Sequence, residues 1–102
     1  MKTIELVIFK FKEGTTRQEE ARYLEVTDIL VRSYKGFIDR MYMQGEKGSR
    51  ADLIRWETMA DAQTAAEDIM KNSAALEVFE KIEDAYTKFY HFTPVHESKI
   101  EG

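Results

Sequence analysis

The sequence predicts one α+β domain whose elements run β–α–β–β–α–α–β, with four strands in an antiparallel sheet. Three observations carry this. Four segments rich in β-branched and aromatic residues are separated by stretches that repeat apolar residues at helical spacing. N-cap sequences precede the helical stretches. Two of the strands follow one another directly through a polar, double-glycine turn, Gly45 to Gly48.

The first strand spans Thr3 to Phe11. Ile4, Leu6 and Ile8 occupy one parity, and Glu5, Val7, Phe9 and Phe11 the other. Both faces are largely apolar, whereas an open antiparallel sheet normally keeps one polar face. Lys12-Glu13-Gly14 ends the strand. Thr15 then starts a helix; Thr15 with Gln18 and Thr16 with Glu19 both read as capping boxes. Tyr23, Val26, Thr27, Leu30 and Val31 form its apolar stripe, and it should end near Ser33. The second strand runs from about Phe37 to Gln44, with Phe37, Asp39, Met41 and Met43 on one parity. The third runs from about Arg50 to Glu57.

Thr58 caps a second helix, with Asp61 at the third helical position. Its stripe is Ala62, Ala65, Ala66, Ile69 and Met70, small enough for close approach to a sheet. Asn72-Ser73 starts a short third helix on which Leu76, Phe79 and Ile82 share a face. The last strand is about Tyr86 to Thr93, again apolar on both parities, and Pro94 ends it. This order is that of the ferredoxin-like, split βαβ sandwich. The domain is expected over residues 1–95, followed by a polar tail over 96–102.

With 102 residues the chain is about one domain, and a domain of that size buries a modest core. Helices can cover only one face of the sheet. The other is too apolar to remain wet, so pairing of two copies through that face as a homodimer is expected. A formal net charge of −4 without a basic stripe argues against nucleic acid. The absence of cysteine excludes disulfides, thiol nucleophiles and cysteine-ligated metals. The longest uninterrupted apolar run, Leu6 to Phe9, is far short of the roughly 20 residues of a membrane helix. No signal-peptide pattern opens the chain, and a cytoplasmic protein is expected. There is no phosphate loop, no two-histidine metal spacing and no nucleophile elbow.

Beyond these readings, the opening Ile4-Glu-Leu-Val-Ile-Phe-Lys-Phe-Lys-Glu-Gly14 resembles the start of stress-responsive A/B-barrel proteins. Trp56-Glu57-Thr58, the alanine-rich helix after it, Asn72-Ser73, Phe79 and Phe92 resemble the antibiotic-biosynthesis monooxygenase-like domains. Both belong to the dimeric α/β-barrel superfamily, and the resemblance covers roughly residues 2–95. It implies a dimer with ligand pockets. Some members are cofactor-free oxygenases of polycyclic phenols, and others degrade haem, isomerise lactones or dismute small acids. Haem-degrading members carry an asparagine on the first strand and a histidine on the helix after the tryptophan. This chain has Glu5 on that strand and no histidine between Thr58 and Glu83. Haem is therefore disfavoured, and no cofactor is expected.

The candidate site residues follow, each with a structural alternative. Trp56 matches the pocket tryptophan of the resembled proteins; alternatively it anchors the core. Glu5 stands where stress-responsive barrel proteins commonly place a histidine and is the one acid in an apolar strand. Burial would make it a general base, and pairing with Arg40 or Arg55 would make it structural. His91 lies in the aromatic strand Phe89–Phe92 and suits proton transfer, or packs as a strand residue. Arg40, Tyr42 and Arg55, with Leu53, are expected on one set of parities. There they would line an apolar cavity able to hold a carboxylate or phenolate, or form interface salt bridges.

Two functions stay open. The first is a cofactor-independent monooxygenase acting on a small aromatic or hydrophobic substrate. Glu5 or His91 would be its base, Trp56 and Tyr42 would shape its pocket, and Arg40 or Arg55 would hold the anion. The second is a non-catalytic dimer that binds a small hydrophobic ligand or a stress-response partner through an adaptable surface rich in methionine and aromatic side chains.

Overall fold

A computed structural model describes residues 2–100. Its elements are β1 (Thr3–Lys10), α1 (Arg17–Ser33), β2 (Phe37–Gln44), β3 (Ser49–Trp56), α2 (Met59–Ile69), α3 (Ser73–Phe79) and β4 (Lys88–Phe92), with 3-10 turns at Glu46–Gly48 and Asp84–Tyr86. The four strands form one antiparallel sheet in the order β2-β3-β1-β4. Residues from Thr93 to Ile100 carry no regular structure. The last two residues of the expected tail, and Met1 of the expected domain, lie outside the described residues. Among the described residues no helix is long and apolar enough to cross a membrane.

The helix boundaries follow from local chemistry. Thr16, not Thr15, is the N-cap of α1: its hydroxyl accepts from the Glu19 amide and the Glu19 carboxylate accepts from the Thr16 amide. Thr58 caps α2 through the Asp61 amide, and Asn72 caps α3 through the Ala75 amide. Between α1 and β2, Gly36 sits at φ +87°, and any Cβ there would overlap the Asp61 side chain. Only glycine meets both conditions.

Cross-strand pairing sorts the side chains into rows. Facing the helices are Phe37–Trp56–Thr3, then Arg40–Ile54–Glu5–His91, then Tyr42–Asp52–Val7–Phe89. On the free face lie Asp39–Arg55–Ile4–Phe92, Met41–Leu53–Leu6–Tyr90 and Met43–Ala51–Ile8–Lys88. A bulge between Phe37 and Asp39 corrects the expected parity. It puts Phe37 on the helix side, edge-on to Trp56 at 5.9 Å, while Asp39, Met41 and Met43 face the other way.

The core has two clusters on the helix side. Trp56, Ile54, Val31, Ala62 and Ala65 form one; Phe9, Tyr23, Val26 and Val78 form the other. The alanines of α2 let its backbone approach the sheet closely, as expected from their size. The expected stripe of α3 is corrected. Ala75 and Val78 are buried and Leu76 is exposed, because the helix ends at Phe79 and Ile82 bridges to Phe11 beyond it. The free face keeps Met41, Tyr90 and Phe92 substantially exposed.

Candidate functional site

The two core clusters do not close on one another. Between them, the helix side of the sheet and the helices enclose a cavity of about 420 Å³. Its floor is the middle of the sheet: Glu5 and Val7 from β1, Arg40 from β2, and Asp52 and Ile54 from β3, with Trp56 at the end of β3 forming part of the wall. Its walls are Tyr23, Thr27 and Val31 from α1 and Ala65, Ala66 and Ile69 from α2, with Tyr34 and Phe79 completing the aromatic lining. The mouth is marked by exposed Met70 and Phe89 beside Asp84 and Thr87. Its rim is tied to β1 by main-chain bonds from Lys12 N to Lys81 O (2.7 Å) and from Glu83 N to Lys10 O (2.9 Å).

Glu5 is the chemically distinctive group. Its side chain is buried, and its carboxyl pKa is raised to about 7. Loss of hydration is the main cause and the charge of Asp52 adds to it, while the Trp56 indole and the Arg40 guanidinium oppose it. The neighbouring row member His91 places Nε2 3.6 Å from Glu5 Oε1. Burial lowers the His91 pKa, so the imidazole is held neutral. His91 Nε2 and Trp56 Nε1 are buried and have no hydrogen-bond partner of good geometry. Such orphaned polar atoms are uncommon in a folded chain.

Arg40 and Asp52 form a buried ion pair at the other end of the floor. Arg40 Nε and Nη2 reach the two Asp52 oxygens at 2.8 and 2.6 Å, and Asp28 lies 3.7 Å from Arg40 Nη1. Tyr23 donates a long bond of 3.4 Å to the same carboxylate. Tyr23 and Asp52 were not singled out from sequence as site residues. Tyr23 reads as one more member of an apolar helical stripe, and Asp52 as a polar residue at a strand start.

The structure brings together Glu5, Trp56, Arg40 and, just behind Glu5, His91. It separates the others. Tyr42 packs against Phe9 and Tyr23, with ring centroids at 6.3 Å from each, and borders a shallow surface pocket with Leu24 and Asp28. Leu53 and Arg55 are a correction. Both lie on the free face, where Arg55 binds its cross-strand neighbour Asp39 through two bonds of 2.8 and 2.5 Å. The expected common parity fails because Arg40 pairs with Ile54, and Arg55 with Asp39.

No family model matches the chain, and no curated protein matches it. Solved structures do. A single-residue variant of SnoaB, a cofactor-independent oxygenase from Streptomyces nogalater, superposes with a TM-score of 0.76 at 11% identity, covering 94% of this chain and 95% of that one. Rv0793 from Mycobacterium tuberculosis gives 0.72 at 10% identity, over 97% and 100%. The monooxygenase ActVA-Orf6 of Streptomyces coelicolor, solved with nanaomycin D, gives 0.70 at 14% identity, over 97% and 92%. Identities this low speak for fold. The chain therefore shares with these structures its ferredoxin-like α+β fold, a four-stranded antiparallel sheet covered on one face by helices.

Proposed function

We propose that this chain is a cofactor-independent monooxygenase acting on a small aromatic substrate, with Glu5 as the base. One observation carries the reading. A carboxyl raised to about 7 stands in the floor of an aromatic cavity, with a neutral imidazole 3.6 Å behind it. A base with a pKa near the working pH is suited to taking a proton from carbon next to a phenol ring system. His91, the cross-strand neighbour, flanks the Glu5 carboxyl and limits its movement. Trp56 supplies a flat wall for the ring, and Arg40, held by Asp52, supplies fixed positive charge at the far end of the floor.

The chemistry balances with dioxygen alone. A ring methylene gives a proton to Glu5 and leaves a carbanion. The carbanion transfers electrons to dioxygen and bonds to it, and the resulting peroxide anion takes the proton back from Glu5. Loss of water then leaves a ketone, so one substrate and one O₂ give one ketone and one water. In this reading two copies pair through the free sheet face, whose rows of Met41, Leu53, Leu6 and Tyr90 are apolar.

The test is oxygen uptake with 1,8-dihydroxyanthrone, which has such a methylene. The wild type is expected to consume one O₂ per molecule, faster than buffer. Glu5→Gln is expected to slow it by about a hundredfold or more, and His91→Ala by less. A wild type no faster than buffer, or full activity in Glu5→Gln, overturns the proposal.

A further inference from the structure

The charges lining the cavity do not balance. Among its described lining residues, Arg40 is the sole basic side chain. Most of its charge is already matched: Nε and Nη2 are bound to Asp52, and Nη1, which has no hydrogen-bond partner, lies 3.7 Å from Asp28. Arg55, the other arginine suited by sequence to holding an anion, is on the opposite face with Asp39. Two carboxylates remain without a cation, Asp84 at the mouth and Glu5 on the floor. An anion entering past Asp84 would arrive beside Glu5 in a cavity whose lining carries three carboxylates, Glu5, Asp52 and Asp84, against one guanidinium, and would be repelled. A hydrogen-bond donor would instead meet an acceptor on the floor. Around it the walls present the rings of Trp56, Tyr23, Tyr34 and Phe79.

We infer that the cavity selects by charge: it takes aromatic molecules bearing an O–H or N–H donor and no anionic group, and it turns away carboxylates of the same shape. The inference rests on reading this cavity as the ligand site, and it narrows the substrate class. It is also consistent with proton abstraction. When Glu5 takes a proton, the negative charge passes from the protein to the ligand, so the cavity's total charge does not change. An anion is tolerated when made in place and not when brought in.

Trp56 is the only tryptophan of the chain and stands in the cavity wall, so its indole N–H gives one NMR signal that reports occupancy. Three probes on one bicyclic frame test the inference: 2-naphthol, 2-naphthylmethylammonium and 2-naphthoate, at about pH 8, where Glu5 is ionised. Naphthol and the ammonium are expected to shift the signal saturably, and naphthoate to bind at least about tenfold more weakly than naphthol. Asp84→Asn, at the exposed rim, is expected to recover part of the naphthoate affinity, and Glu5→Gln with Asp84→Asn most of it. Naphthoate binding as tightly as naphthol, no recovery in either variant, or no shift by any probe would each overturn the inference. Tight naphthoate binding leaves the oxidation of dihydroxyanthrone unaffected as a proposal. Conversely, charge selection with no oxidation overturns only the catalytic reading.

Discussion

Asp52→Asn is the substitution whose cost the structure defines most sharply. The Asp52 and Arg40 side chains are each 6% exposed and joined by two short bonds. Asparagine keeps the shape and removes the charge, leaving a buried guanidinium with only Asp28, 3.7 Å away. Removing one partner of such a pair costs about 3–5 kcal/mol. For a domain of about this size, that lowers Tm by at least about 12 °C, at roughly 4 °C or more per kcal/mol. Arg40→Met takes away the stranded charge, so the double variant should be less destabilised than the sum of the singles. The coupling should be about 1–3 kcal/mol, read from urea unfolding of all four proteins. Asp39→Asn is the control, because its pair with Arg55 is half-exposed and its loss should be far smaller. Additive singles, or an Asp52→Asn protein as stable as Asp39→Asn, would refute the claim that the floor of the cavity is held by a desolvated ion pair.

Three further outcomes follow from the same structure. Gly36→Ala should lose at least about 1 kcal/mol in thermal unfolding, because alanine disfavours φ +87° and its Cβ meets Asp61; a neutral result would mean that the turn relaxes freely. Glu5 lies higher in the fold than its ordinary 4.5, so its protonated form stabilises the fold below pH 4.5, and that stability is lost as pH rises through 7. Relative to the wild type, Glu5→Gln should thus gain up to about 3 kcal/mol between pH 4.5 and 8, and parallel stability curves would contradict it. Leu53→Glu, placed mid-row on the free face, should halve a wild-type mass of two chains in light scattering, and a monomeric wild type would remove the sheet-face dimer.

Much of this architecture was legible in the sequence because it is locally encoded. Capping by Thr16, Thr58 and Asn72 and the helical spacing of apolar residues set the helices, and composition set the strands. Two-sided apolarity of β1 matches the rows of the sheet, which carry apolar side chains on the free face as well as on the helix side. Register was not legible. It depends on a bulge after Phe37 and on a 3-10 turn in which Lys47 takes φ 54°, and neither is written in the alternation of polar and apolar residues. The error therefore fell on Arg55 and Leu53, which a one-residue shift moves to the far face. Glu5 and His91 were visible as polar residues in apolar strands. That they are direct cross-strand neighbours depends on β1 pairing with β4, a contact more than eighty residues apart in the chain. Tyr23 and Asp52 carried no separate signal, since a helical tyrosine and a strand aspartate are ordinary until the fold puts them at one cavity.

Everything proposed for the cavity turns on the protonation of Glu5. Its carboxyl carbon can be followed by NMR in protein labelled with ¹³C-glutamate, assigned by the signal absent from Glu5→Gln. The expected titration has its midpoint at about 7, well above the ordinary carboxylate value of 4.5. A midpoint at the ordinary value of 4.5 would mean that Glu5 is hydrated or paired at neutral pH, and would contradict its role as a base in an apolar, aromatic site.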